Sequence, residues 1–290
     1  MYKLLTMSLM CVTCGWLSAE QYVCSQPVLS MHKEPKELSE VVSQLVWSDS
    51  VQIIENADKG WAKVATQDSR QGWVPFKSLV VFEDSAYPKP GKVAMVTSRL
   101  AHVYLVRDVK MYPPLLTLPY GAKVEVFSGF DVQAEKWAQV RLINGEVAYM
   151  QRSDVVFNPK PLSLDESLDL AKSFVGIPYT WGGNSVYGFD GPGFVQMVYQ
   201  QMDYQLPREA SMQAEAPCMQ KVSVDELERG DLMFFSLTDD GQIDHVGIYM
   251  GNNEFIHACS KNTPPTVLLT SFTAPYWQAS LKKCCRVHRG

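Results

Sequence analysis

The chain has 290 residues, 46% of them hydrophobic and 20% charged, and a net charge of −5 at pH 7. That length accommodates two or three domains with buried cores, and the composition is that of an ordinary globular protein. A net negative charge without any block of Lys or Arg argues against nucleic acid as a partner and against direct adsorption on anionic lipid.

The first element in the chain is a targeting signal. Met1-Tyr2-Lys3 supplies one positive charge, and residues 4–17 (LLTMSLMCVTCGWL) form an apolar stretch too short to span a bilayer comfortably. Leu17-Ser18-Ala19 ends on a small residue, so residues 1–19 read as a secretory signal cleaved after Ala19, leaving no stable membrane span. Cys11 and Cys14 follow Leu9-Met10 and Val12-Thr13, which fit a lipid-attachment site poorly. Beyond the signal lie Cys24, Cys218, Cys259, Cys284 and Cys285. They are odd in number, contain no CxxC and include one adjacent pair that could hardly bridge to itself, so they form no disulfide framework.

A diverged duplication follows. VQIIENADKGWAKVATQDSRQGWV (51–74) aligns with VEVFSGFDVQAEKWAQVRLINGEVAYM (124–150). Trp61-Ala62 and Val64 recur as Trp137-Ala138 and Val140, and Leu79-Val80 as Val155-Val156, all at an offset of 76 residues. The second copy carries three extra residues ahead of these pairs, expected in a loop. Each copy alternates Val, Ile and aromatic residues between turn residues, the pattern of a small β-barrel. These copies resemble bacterial SH3-type (SH3b) domains over 22–83 and 93–157, joined by a linker at 84–92 (Asp84-Ser85-Ala86-Tyr87-Pro88-Lys89-Pro90-Gly91 and Lys92). The tryptophans are expected in core and hairpin packing.

Asn158-Pro159-Lys160-Pro161 marks the next boundary, and a third domain runs over 162–290. It opens with a capping box, Ser163 and Glu166, ahead of a helix carrying Leu164, Leu168, Ala171 and Val175 at helical spacing and ending at Gly176. A second helix is predicted from about Asp190 to Met202, and strands over 232–235, 246–250 and 255–258. Helices first and a strand meander afterwards predict an α+β domain.

The helix beginning at Asp190 offers free backbone N–H groups and the positive end of its dipole, where a thiol would have a lowered pKa. His245 opens one strand and His257 lies near the end of the next, placed to serve as a base and its orienting partner. The surrounding sequence closely resembles the NlpC/p60 family of cell-wall cysteine peptidases. Gly176-x-Pro178-Tyr179-x-Trp181-Gly182-Gly183, Gly188-Phe189-Asp190, Gly193-Phe194-Val195, Leu206-Pro207-Arg208 with Gln213, and Arg229-Gly230-Asp231-Leu232 carry the resemblance. His245-Val246-Gly247-Ile248-Tyr249 and Phe255-Ile256-His257-Ala258 complete it. It implies two small all-β SH3-like barrels followed by an α+β papain-like domain, located in the periplasm, at the cell envelope or secreted from a bacterium. It further implies peptidoglycan stem peptides, L-Ala-γ-D-Glu-diamino acid, as ligand, with the barrels helping to wall the pocket. Asp190, Trp181, Tyr179 and Glu209 are then the substrate-contacting positions.

The chain departs from the family where the chemistry is. The family motif Asp-Cys-Ser-Gly reads Asp190-Gly191-Pro192-Gly193 here, and Glu209-Ala210 stand where aspartate and serine are common. Asp190 can still cap the helix and Pro192 is tolerated in its first turn, but Gly191 cannot form an acyl-enzyme. The expected protein is therefore a catalytically impaired binder of wall peptides with His245 and His257 retained, requiring no cofactor. Two alternatives stand beside it: an active γ-D-glutamyl-diamino acid endopeptidase with a relocated nucleophile, Cys259 ahead of Cys218, and a structural adaptor with an envelope protein partner. A metal held by Asp244, His245, His257 and Cys259 has no supporting ligand spacing.

Overall fold

The computed structural model describes residues 21–57, 60–82, 87–127, 136–238 and 240–288. The signal at 1–19, with Cys11 and Cys14, lies outside the described residues, as do 83–86 of the linker region and 128–135, where the extra residues of the second copy fall.

Fourteen strands build the first half. The first unit contains β1 (Gln21–Cys24), β2 (Val28–His32), β3 (Val41–Val46), β4 (Ser50–Ala57), β5 (Trp61–Ala65), β6 (Gln71–Pro75) and β7 (Leu79–Phe82). The second contains β8 (Val93–Val96), β9 (Leu100–Tyr104), β10 (Leu116–Pro119), β11 (Lys123–Val126), β12 (Trp137–Arg141), β13 (Val147–Gln151) and β14 (Val155–Phe157). The strand orders are β3-β2-β6-β5-β4-β1-β7 and β10-β9-β13-β12-β11-β8-β14, the same order shifted by seven strands. Side-chain burial repeats too. Ala62 and Val64 of β5 and Ala138 and Val140 of β12 are buried, with half-buried residues between them, as period-two alternation requires. Trp61 meets His32 edge-on at 5.5 Å, and Trp137 meets Tyr104 edge-on at 5.7 Å, so both tryptophans pack a ring from the end of an equivalent strand.

Neither sheet closes: among the described residues no pairing joins β3 to β7 or β10 to β14. The expected two small all-β SH3-like barrels are seen as two seven-strand orders without closure among the described residues. The free edge of the first is covered by the third unit. Asn184 donates from its backbone N–H to Gln44 Oε1 (3.2 Å) and from Nδ2 to Gln44 O (3.0 Å). The contact satisfies the Gln44 carbonyl on that edge.

Tyr87, in the expected linker, is instead buried in the second unit's core, its hydroxyl donating to Arg141 O at 2.7 Å. Trp47 and Val23 of the first unit enter that same core. Tyr120 of the second unit enters the core of the third, edge-on to Phe174 at 5.4 Å.

The third unit contains α1 (Leu164–Ser173), β15 (Asn184–Ser185), β16 (Gly188–Phe189), α2 (Gly191–Gln200), α3 (Ala210–Ala214), β17 (Met219–Val222), β18 (Leu232–Phe235), β19 (His245–Gly251), β20 (Glu254–Cys259), β21 (Thr266–Ser271), α4 (Pro275–Ser280) and β22 (Leu281–Val287). Ser163 and Glu166 form the expected capping box. Both long helices stop slightly earlier than periodicity predicts. Six strands run in the order β17-β22-β18-β19-β20-β21. One sheet face, with Phe234, Val246, Ile248 and Ile256, packs on Phe194, Val195 and Val198 of α2. The other, with Phe235, Phe255 and Cys259, packs on Trp277 of α4.

Candidate functional site

The site forms where α2 begins. Asp190 is its N-cap, with extended backbone, and Oδ1 accepts the Gly193 N–H at 2.7 Å. Oδ2 accepts the Gly182 N–H at 3.0 Å, and Arg208 makes a two-pronged pair with both oxygens, at 2.9 and 2.6 Å. Arg208 and Asp190 are 4% and 7% exposed. Four donors fill the carboxylate's acceptor positions. In this structure Asp190 caps α2 and pairs with Arg208, and an incoming amine would have to share those acceptors.

The adjacent glycines divide into two kinds. Gly182 has φ +74, and a Cβ there would lie 2.6 Å from Val41 Cγ1 of the first unit. The close approach of two units leaves only glycine at that position. Gly191 has no such backbone demand: its Cβ would meet no backbone closer than 3.4 Å, at Val246 O. What it would meet is His245, with Nδ1 at 3.0 Å and Cε1 at 3.2 Å. The imidazole has settled close against the place where a nucleophile's side chain would begin.

His245 opens β19 opposite Phe235. Its Nε2 lies 2.8 Å from His257 Nδ1, and His257 Nε2 lies 2.9 Å from Thr270 Oγ1 on β21. Trp277 covers both rings, with centroids at 5.8 and 4.8 Å. Burial holds the His245 pKa down to about 4, partly opposed by Asp244 and aided by Lys261. Burial and then the neighbouring His245 hold His257 well below its usual value. Both rings are therefore neutral at pH 7. One hydrogen-bond direction, His245 to His257 to Thr270, leaves Nδ1 of His245 as a base facing Gly191. The reverse direction leaves Nδ1 as a donor facing the same point. Asp244 accepts from Leu237 N–H and Thr238 O–H.

The remaining predicted positions spread around this centre. Tyr179 is half-buried, its hydroxyl pushed up to about 12 by burial and the Asp190 charge. Trp181 is 62% exposed at the rim. Glu209 is drawn to Arg70 of the first unit at 2.6 Å. Cys259 is 1% exposed among Met233, Phe235, Phe255, Phe272, Trp277 and Cys284, and burial raises its thiol pKa. Cys218 is half-buried beside β17. The cysteines among the described residues are unpaired.

Sequence reading assigned no role to Thr270, Arg208, Arg70 or Trp277. Thr270 alternates with Leu268, the register partner of His257, and so shares its sheet face, a relation that only the strand register reveals. The others are long-range contacts without a local signature.

The comparisons with known proteins agree with this geometry. Residues 176–286 match the NlpC/P60 family and residues 31–79 match the bacterial dipeptidyl-peptidase Sh3 domain. The chain is 27% identical over 234 residues to a gamma-D-glutamyl-L-lysine dipeptidyl-peptidase of Bacillus cereus (strain ATCC 10987 / NRS 248), covering 74% of this chain and 66% of that one. It is 31% identical over 152 residues to the Bacillus subtilis (strain 168) protein of the same name, covering 52% and 49%. The chain thus spans from half to two thirds of the length of these relatives. With murein DD-endopeptidase MepS/murein LD-carboxypeptidase of Escherichia coli (strain K12) it shares 33% identity over 153 residues, covering 51% of this chain and 78% of the relative. The crystal structure of an NlpC/P60 family protein from Bacillus cereus ATCC 10987 superposes with a TM-score of 0.79 at 20% identity, over 93% of this chain and all of that one. The fold likeness therefore extends across the all-β half as well. Fold, site geometry and these relatives together place the chain in the NlpC/P60 family.

Proposed function

We propose that this protein is an exported, catalytically impaired member of its family that binds peptidoglycan stem peptides of the type L-Ala-γ-D-Glu-diamino acid in the periplasm or at the cell envelope. In this reading residues 1–19 are a cleaved signal, 22–83 and 93–157 are two SH3-type units joined at 84–92, and 162–290 is the peptidase-like unit. The relatives named as peptidoglycan peptidases support the ligand class. No helix among the described residues is long and apolar enough to cross a membrane.

The observation that carries the reading is Gly191. It stands at the first position of α2, facing an intact His245–His257–Thr270 chain, with no atom to attack a carbonyl. Loss of a covalent nucleophile in enzymes of this type costs on the order of 10⁴–10⁶ in rate. The relocated-nucleophile reading loses support, since Cys259 is sealed in an apolar cluster and its thiol is disfavoured as thiolate.

The test is turnover and titration together. Purified protein is incubated with L-Ala-γ-D-Glu-diaminopimelate, new amines are measured, and binding is followed by calorimetry. Binding without amine release is the expected result. Cleavage abolished by Cys259→Ala would restore the relocated-thiol reading, and iodoacetamide-insensitive cleavage would overturn the impaired one. Absence of binding would favour the structural adaptor.

A further inference from the structure

We propose that the place vacated at Gly191 is a carboxylate site, so that the cleft favours short peptides ending in a free carboxylate over longer, uncleaved ones. The inference rests on the function proposed above and narrows its ligand to the acid that a peptidase of this fold would leave as product.

Three observations converge on the site. α2 is a ten-residue helix, and the N–H of Gly191 at its start makes no hydrogen bond among the described residues. His245 is 5% exposed, and its Nδ1, also without a hydrogen-bond partner among the described residues, lies 3.0 Å from the Cβ position of Gly191. Of the two hydrogen-bond directions the chain allows, a bound carboxylate selects the one that runs from the Thr270 hydroxyl to His257 Nε2 and from His257 Nδ1–H to His245 Nε2, which leaves Nδ1–H of His245 facing the site. Two N–H donors then face one point at the positive end of a helix.

The nearby carboxylates are already engaged by other groups. The Asp190 carboxylate at the same helix end is neutralised by the buried Arg208 guanidinium. Glu209 is paired with Arg70, and Asp244 accepts bonds from the 237–238 turn. At His245 the charge of Asp244 is opposed by that of Lys261. In an active cysteine peptidase the thiolate supplies the negative charge at this position and repels a product carboxylate. Glycine removes both that charge and its volume, and the donors remain.

The probes are two nearly isosteric dipeptides, L-Ala-D-Glu and L-Ala-D-Gln, which differ only in a side-chain carboxylate against a neutral amide, and the tripeptide L-Ala-γ-D-Glu-diaminopimelate. Calorimetry on the full chain is expected to show the acid binding about tenfold or more tighter than the amide and tighter than the tripeptide, the usual worth of a charge-assisted hydrogen bond. Gly191→Ala, which places a methyl against His245, is expected to erase the preference for the acid. His245→Phe is expected to do the same without altering Gly191. Equal binding of acid and amide, with the tripeptide bound, overturns the carboxylate site and leaves the peptide-binding reading standing. Binding of none of the three overturns both. A preference for the acid that survives in both folded variants also overturns the assignment to Gly191 and His245.

Discussion

If only the nucleophile is missing, restoring it should restore chemistry. The perturbation is Gly191→Cys combined with Pro192→Ser, which returns a side chain and a backbone N–H to the first turn of α2. A Cβ at position 191 would lie 3.0 Å from His245 Nδ1 and 3.2 Å from Cε1, so the ring must retreat by a few tenths of an ångström. That adjustment, partly off a relaxed rotamer and limited by the 2.8 Å contact with His257 and the Trp277 ring, costs about 1 kcal/mol. The new sulfur then sits at a helix N-terminus, which lowers a thiol's pKa, and beside a neutral imidazole that can take its proton. Against that small cost stands the worth of a covalent nucleophile, so turnover should rise by at least about 10³-fold over the parent. The assay is amine release from L-Ala-γ-D-Glu-diaminopimelate, with loss of activity on iodoacetamide treatment. A double variant that melts like the parent and shows one additional reactive thiol, yet stays within about tenfold of parental turnover, would refute the reasoning; the smallest gain expected of a restored nucleophile is far larger.

Three further outcomes follow from the same geometry. Gly182→Ala should destabilise by about 1–3 kcal/mol, because Val41 sits 2.6 Å from the added methyl and the backbone is left-handed there, whereas Gly191→Ala should cost no more than about 1 kcal/mol, since only the His245 ring must yield; urea melts compare the two. Asp190→Ala leaves the Arg208 guanidinium buried without its partner and should cost about 3–5 kcal/mol, read as a fall in melting temperature. His245 is held at about 4 against an unfolded value of 6.5, so the unfolded chain binds the proton first as pH falls. Stability should therefore drop from about pH 7 down to about 4, by about 3 kcal/mol from this residue alone, and the drop should shrink in a His245→Phe, His257→Phe double variant followed by urea midpoint.

The parts legible in the sequence were those written in short-range patterns. The Trp61 and Trp137 copies announced two equivalent units, and the structure repeats even their edge-on ring partners. The Asp190 start of α2 and the two histidine strands were equally plain. Sheet closure was not legible, because β3 is covered by Gln44 bonding to Asn184, 140 residues away. The full set of Asp190 bonds was hidden for a related reason. The cap was local and visible, but the Arg208 pair that saturates it depends on where the loop after α2 returns. Thr270 was missed because a threonine in a short strand has no special appearance until its register against His257 is known.

The bonds of Asp190 carry one more consequence. What anchors the start of α2 is the residue just before the reactive position, through Gly182, Gly193 and Arg208, and none of those contacts involves residue 191 itself. Architecture and reactivity are thus borne by neighbouring but independent atoms. A scaffold built this way tolerates change in the first turn of its helix without redesign, so dormant and working copies should be told apart by that turn and not by their overall shape.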